Sequence, residues 1–149
     1  MIAEVQITIK GSREAVWAAI TDIENASETI SGIDKIEVVE KPASGLVGLK
    51  WRETRMLFGK PATVEKWITE AEEKRFYKTK AEDGGFVFTT TKAISESGGG
   101  MTLSEIHESK PQGMAAKLMS IPMRLFFKGV MKKAILQDLN DTKAAVERE

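Results

Sequence analysis

The stretch ITIKGSREAVWAAITD, Ile7 to Asp22, decides the fold. It completes a segment, Ala3–Lys10, in which apolar and polar residues alternate, and a period of two predicts a half-buried strand. Ser12 follows and is placed to cap a helix over Arg13–Ile20, because its hydroxyl can accept from the free N–H groups of the first turn. The stretch therefore predicts a strand, a tight turn and a short helix.

Outward from this stretch, the chain continues as a short helix, six strands and a long helix. Asp22 is placed to open a second helix that runs to about Ser31 and ends at Gly32. Short runs separated by turn-rich segments then predict an antiparallel meander. A long helix is predicted over Met114–Val146, with a break or kink at Pro122. The predicted strands are Ile33–Lys41, Val47–Phe58, Ala62–Ala71, Arg75–Ala81, Phe86–Ser95 and Met101–Ser109.

The composition excludes several classes of function. The 149 residues include 22 Lys and Arg against 22 Asp and Glu, so no overall basic field attracts nucleic acid. There is no cysteine and a single histidine, His107, which excludes disulfides, cysteine nucleophiles and a structural zinc site built by this chain alone. We expect no metal, no cofactor and no nucleic-acid partner.

The size and the terminal sequence fit one α+β domain, residues 1–149, of a cytoplasmic protein. The first residues show no basic region followed by an apolar run, as a signal peptide would. No stretch reaches the roughly 18 uninterrupted apolar residues of a transmembrane helix.

The segment Ile7–Asp22 resembles the opening of the START-like superfamily, which includes the polyketide cyclase/dehydrase and lipid-transport family. The similar features are the strand, the turn of small residues, the Val16-Trp17 pair in the first helix and the aspartate that follows it. The stretch Gly48–Arg55 resembles that family's third strand. The resemblance implies a helix-grip fold, in which a curved seven-stranded antiparallel sheet with two short helices wraps the long C-terminal helix around an elongated cavity. It implies little about function, because the superfamily spans carriers, cyclases, hormone receptors and co-chaperones.

One face of the predicted third strand combines apolar residues with an ion pair. Val47, Leu49, Trp51, Glu53 and Arg55 share this face, and the three apolar members predict that it points inward. Glu53 and Arg55 are then expected to pair, with Glu53 ionised at pH 7. The pair is either a polar anchor or acid/base pair for a ligand, or a structural ion pair at the cavity rim.

Two further side chains are candidates for polar contacts. His107 shares a strand face with Met101, Leu103 and Glu105, and is either a proton donor near neutral pH or a strand-end residue with a local hydrogen bond. Tyr77 either offers its hydroxyl to a ligand carbonyl or contacts solvent.

The last helix is basic on one side. Between Ser109 and Gln137 there are six basic residues and no acid, and Arg124, Lys128 and Lys132 are spaced by four. This predicts weak contact with an anionic membrane or a homodimer through the helix, or simply a solvated basic face. The apolar residues expected on or near the same outer face are Leu125, Ile135 and Leu139.

These observations favour a non-catalytic carrier or sensor of a small apolar or amphipathic molecule, lipid-like or polyketide-like. One alternative is a cofactor-free cyclase or dehydratase that uses Glu53 or His107 as acid/base and Arg55 to stabilise an enolate oxygen. Another is an interaction module that acts through the basic helix. The predicted ligand-binding residues are Trp51, Glu53, Arg55, Tyr77, Phe88, Leu103, His107, Phe126 and Val130.

Overall fold

The computed structural model describes residues 1–57 and 59–148, without the side chains of residues 115, 116 and 118–127. The strands are β1 (Ile2–Ile9), β2 (Ile33–Glu40), β3 (Lys50–Leu57), β4 (Lys60–Glu72), β5 (Phe76–Asp83), β6 (Phe86–Ser97) and β7 (Gly100–Pro111). The helices are α1 (Arg13–Thr21), α2 (Ala26–Thr29) and α3 (Met114–Glu147), and a single 3-10 turn (Ile23–Asn25) precedes α2.

All neighbouring strands are antiparallel, and the sheet order is β1-β7-β6-β5-β4-β3-β2. Strands β2 to β7 follow one another as a meander, whereas β1 pairs with β7 from the register Ile2↔Glu108 to Ile9↔Met101. Register shifts in the β2–β3 and β4–β5 pairs mark irregularities of the kind that bend a sheet. The predicted α+β fold, with a seven-stranded antiparallel sheet, two short helices and a long C-terminal helix, is confirmed.

The first helix forms as its sequence predicts. Ser12 Oγ accepts a hydrogen bond of 3.0 Å from Ala15 N, and Val16 and Ile20 are buried. Asp22 differs from the prediction, because its carboxylate accepts from the Asn25 side chain and makes no capping bond to the backbone. The expected second helix is accordingly divided into the 3-10 turn and the short α2.

Strand β3 begins later than predicted. Val47 was expected to point inward with its neighbours, but it is 52% exposed and precedes the strand. The reason is a turn in which Leu49 N donates to Leu46 O and Gly48 takes a positive φ of 96°. Because of this turn, the alternation of inward and outward side chains in β3 does not extend back to Val47. Leu49 and Trp51 are buried as predicted.

Helix α3 buries residues that were expected on its outer face. Ile135 and Leu139, expected on the outer face, are buried in the core together with Val146. The same stripe includes two buried polar residues, Asp138 and Thr142, so hydrophobicity alone did not reveal it. Helix α3 is one continuous element, so Pro122 does not divide it, and that residue's side chain lies outside the described residues.

Two glycines are predicted to respond in opposite ways to alanine. A Cβ on Gly129 would meet no atom within 4 Å in the described part of the chain, so Gly129→Ala should raise the free energy of unfolding by about 0.5–1 kcal/mol through helix propensity. A Cβ on Gly100 would lie 2.7 Å from Ile9 O, so Gly100→Ala should lower it by about 1–3 kcal/mol. Urea unfolding measures both. A loss of stability in Gly129→Ala would show that α3 packs closely at that position.

Candidate functional site

The face of the sheet that packs against α3 is polar in its centre. Leu103 belongs to the core cluster with Ile135 and Leu139, and since side chains alternate along a strand, Glu105 and His107 lie on this same inner face. Cross-strand pairing places partners beside them. One row across the sheet is Tyr77, Lys92 and Glu105, and the next row is Thr79, Thr90 and His107.

Glu53 is held by three donors. Its carboxylate, 7% exposed as a residue, accepts from Arg55 Nε at 2.7 Å, Lys66 Nζ at 3.0 Å and Trp51 Nε1 at 3.3 Å. Burial alone would raise the pKa of Glu53, but the charges and hydrogen bonds of Lys66 and Arg55 outweigh it and hold that pKa well below its usual range. The predicted pair therefore forms, and Glu53 is ionised at pH 7.

Arg55 extends this pair to the long helix. Its Nη1 and Nη2 donate to the two carboxylate oxygens of Asp138 at 3.2 and 2.7 Å, a bidentate arrangement. Burial would lower the pKa of Arg55, but Asp138 and Glu53 raise it further above its ordinary value. The guanidinium joins β3 to α3, and with Glu53 it favours the structural ion pair over an acid/base pair.

Tyr77 has a partner inside the protein. Its hydroxyl donates to Ile20 O at 2.8 Å, its ring meets Trp17 edge-on at 6.2 Å, and the residue is 3% exposed. Burial raises the pKa of the phenol. Neither expected role, a ligand contact through the hydroxyl or exposure to solvent, matches this position, because the end of α1 covers the ring.

Lys92 and Glu105 form an ion pair that the sequence analysis missed. Lys92 Nζ lies 3.8 Å from Glu105 Oε1, and Glu105 is only 6% exposed. Burial raises the pKa of Glu105, and Lys92 offsets part of that rise. Burial alone would lower the pKa of Lys92, but its interactions with Tyr77 and Glu105 raise that pKa above its ordinary value. Oε1 has no hydrogen-bond partner among the described residues. The alternation of the strands could have indicated this pair. Lys92 lies two residues before buried Ile94, and Glu105 lies two residues after buried Leu103, so both charges occupy inward positions.

The ring of His107 has one nitrogen with a hydrogen-bond partner among the described residues and one without. Its Nδ1 shares a hydrogen bond of 2.9 Å with Thr90 Oγ1, and its ring stacks on Phe88 at 5.8 Å. Nε2 is buried and has no hydrogen-bond partner within the described part of the chain. Burial, with added repulsion from Lys66 and the N-terminal ammonium, lowers the pKa of His107 to about 4. The ring is neutral at pH 7, so it does not act there as the imidazolium donor that was expected.

The remaining predicted site residues fall into three groups. Trp51 and Leu103 are buried in the core. Phe88 is half-buried and stacks between Phe86, at 6.1 Å, and His107. Val130 is 50% exposed, and Phe126 lies outside the described side chains. The structure thus brings Phe88 and His107 together and places the Trp51, Glu53 and Arg55 group separately.

The basic side of α3 is only partly described. The exposed residues on this side include Lys128, Lys132 and Lys133, and the side chain of Leu136 beside them is partly exposed. Arg124 and Leu125 lie among the side chains outside the description. None of the helices, as far as they are described, is both long and apolar enough to cross a bilayer. Contact with an anionic membrane or a second copy through this face stays a prediction.

Comparison with known proteins identifies similar sequences and folds. The sequence profile of the polyketide cyclase/dehydrase and lipid transport family matches residues 2–147. A START superfamily protein from Mycobacterium smegmatis superimposes with a TM-score of 0.78 at 12% identity, covering 99% of this chain and 97% of that one. The Zhui aromatase/cyclase from a Streptomyces species gives 0.78 at 15% identity, with 99% and 94% covered. A protein from Thermus thermophilus gives 0.81 at 14% identity, with 99% and 98% covered. No curated protein matches in sequence.

We predict that Glu53→Gln lowers the free energy of unfolding at pH 7 by about 3 kcal/mol, because it leaves Arg55 and Lys66 without their shared carboxylate. The native carboxylate stabilises the fold above the ordinary glutamate pKa of about 4.3, and this contribution is lost as the pH falls below it. The difference between wild type and variant should therefore shrink in acid. Urea unfolding between pH 3 and pH 7 measures this.

The matched control is Glu65→Gln. Glu65 lies on the neighbouring strand β4 and makes exposed ion pairs with Lys50 and Arg52. Its removal should cost less than about 1 kcal/mol. Equal losses in the two variants would contradict the buried network.

We predict that the imidazole of His107 titrates near pH 4, which NMR can follow directly because the chain has no other histidine. Since the ordinary histidine pKa is about 6.5, the unfolded chain takes up the proton first, and stability should fall as the pH drops from about 6.5 toward 4. Ring ¹⁵N shifts at pH 7 should show a neutral ring. A midpoint above pH 6 would mean that the ring faces bulk water.

Proposed function

The chain belongs to the polyketide cyclase/dehydrase and lipid transport family, and we propose that it binds a small amphipathic molecule between the inner face of its sheet and α3. One observation carries the proposal: Glu105 Oε1 and His107 Nε2 are buried on that face without hydrogen-bond partners among the described residues. Buried polar atoms in folded proteins are nearly always hydrogen-bonded, and leaving one unsatisfied costs about 1–3 kcal/mol. A ligand with a polar end would satisfy both.

The surroundings of these two atoms suit the apolar part of such a ligand. The ring of Phe88 stacks on His107, and Phe86 continues the aromatic surface. Leu103, two residues before Glu105, is fully buried and forms part of the supporting wall. An apolar body against these rings, with its polar end toward His107, would combine burial with hydrogen bonding, as small-molecule sites commonly do.

Binding has better support than catalysis by the residues first considered. Glu53 accepts from three donors and Arg55 is bound on both sides, so neither has the freedom that proton transfer or enolate stabilisation needs. His107 is neutral at pH 7 and its Nδ1 is engaged by Thr90. Trp51, Glu53, Arg55 and Tyr77 then hold the frame of the proposed site, whereas Phe126 and Val130 on α3 stay predicted contacts.

The test uses the uncharged fluorescent probe N-phenyl-1-naphthylamine. We expect saturable binding to one site, with a Kd on the order of micromolar. Thr90→Arg should weaken binding at least tenfold, because it places a long charged side chain beside His107 on the inner face. Thr89→Arg is the control, since the preceding residue of β6 points to the opposite face.

A second readout keeps this test independent of how well Thr90→Arg folds. In the wild-type protein, saturation with the probe should shift the His107 ring signals. Absence of saturable binding, equal weakening by the two arginine variants, or unchanged His107 signals at saturation would contradict the proposed site.

A further inference from the structure

The two unpartnered atoms belong to side chains at neighbouring inward positions of β7. Glu105 and His107 are two residues apart on β7, so their Cα atoms are separated by about 7 Å and both side chains leave the same face. Glu105 is more than nine-tenths buried, and both Oε1 and His107 Nε2 are inaccessible to solvent without a hydrogen bond from the described residues. A single small group between them could serve both.

Hydrogen-bond chemistry restricts what that group is. Glu105 Oε1 lies 3.8 Å from Lys92 Nζ, too far for a hydrogen bond, and as a carboxylate oxygen of this ion pair it needs a donor. His107 is neutral, and when Thr90 donates to its Nδ1, the ring proton resides on Nε2, which then needs an acceptor. A hydroxyl is one atom that both donates and accepts, so it can donate to Glu105 while accepting from His107. A carboxylate offers no donor, and an ammonium offers no acceptor.

The charge balance of the inner face also favours an uncharged group over an anion. In the cluster formed by Arg55, Lys66 and Lys92 with the carboxylates of Glu53, Glu105 and Asp138, each cation lies within 4 Å of a carboxylate. No cation of this cluster is left over to neutralise an incoming anion. An ionised head group would also approach Glu105 directly, and like charges repel strongly where water is scarce.

We infer that the site takes an alcohol or a phenol, whose uncharged hydroxyl donates to Glu105 and accepts from His107, in preference to a carboxylic acid of the same shape. This rests on the proposed function and narrows its ligand class. The stacked rings of Phe86, Phe88 and His107 favour a flat, aromatic or alicyclic body behind the hydroxyl.

The test compares three naphthalenes of nearly equal size by displacement of N-phenyl-1-naphthylamine at pH 7. 2-Naphthol is an uncharged donor and acceptor, 2-methoxynaphthalene is an acceptor only, and 2-naphthoate is an anion. We expect 2-naphthol to bind at least tenfold more tightly than 2-naphthoate and at least threefold more tightly than 2-methoxynaphthalene. These comparisons need only the wild-type protein.

Variants then assign the preference to the two residues. In Glu105→Gln the advantage of 2-naphthol over 2-naphthoate should fall below threefold, because the carboxylate that repels the anion is gone. His107→Phe keeps a stacking ring but removes Nε2, and should weaken 2-naphthol at least fivefold. Glu108→Gln is the control, since it lies on the opposite face of β7 and should change neither ratio.

The outcomes separate this inference from the proposed function. Equal binding of 2-naphthol and 2-naphthoate, tighter binding of 2-naphthoate, or a preference unchanged in Glu105→Gln would overturn the hydroxyl assignment. Displacement by none of the three, while N-phenyl-1-naphthylamine binds at the Thr90 face, would also overturn it and leave the proposed function standing. Failure of every compound, the probe included, would overturn both.

Discussion

The bidentate ion pair between Arg55 and Asp138 links α3 to β3, far across the sheet from β1. The guanidinium reaches from β3 to the helix, and Glu53 holds it from behind while also binding Lys66 of the next strand. Each charge is partly or fully withdrawn from water, so each depends on its partners for the hydration it has lost. The network therefore ties the helix to the sheet on the same face on which we place the ligand.

The polar residues of the inner face form two groups that differ in how fully they are hydrogen-bonded. Around Glu53 and Arg55 the carboxylates and the guanidinium have hydrogen-bond partners, which makes this region part of the frame. Around Glu105 and His107, two buried atoms have none among the described residues. Since nearly all buried polar groups are paired, the contrast separates the polar residues that hold the fold from those that we propose contact a bound molecule.

Much of the fold could be predicted from local sequence, because period-two alternation, the Ser12 cap and the glycine turns each act within a few residues. The stripe of α3 could not, since Asp138 and Thr142 interrupt its hydrophobic pattern and owe their burial to partners elsewhere in the chain. The candidate site likewise contains residues that local sequence could predict and residues that depend on distant partners. Glu53 and Arg55 are neighbours on one strand and were found together, whereas Lys92 meets Glu105 only through the β6–β7 register.

The pairing of β1 with β7 also affects how the chain folds. Ile2 lies opposite Glu108, so the first strand pairs with the last one, which is synthesised after every other strand. The hairpins between β3 and β7 join residues close in sequence and can form early, while closure by β1 must bring together segments about a hundred residues apart. Such long-range pairing lowers folding rates, often to the range of milliseconds to seconds. During synthesis the alternating β1 segment leaves the ribosome long before its partner strand, and its apolar face is exposed until α3, which packs on it, follows.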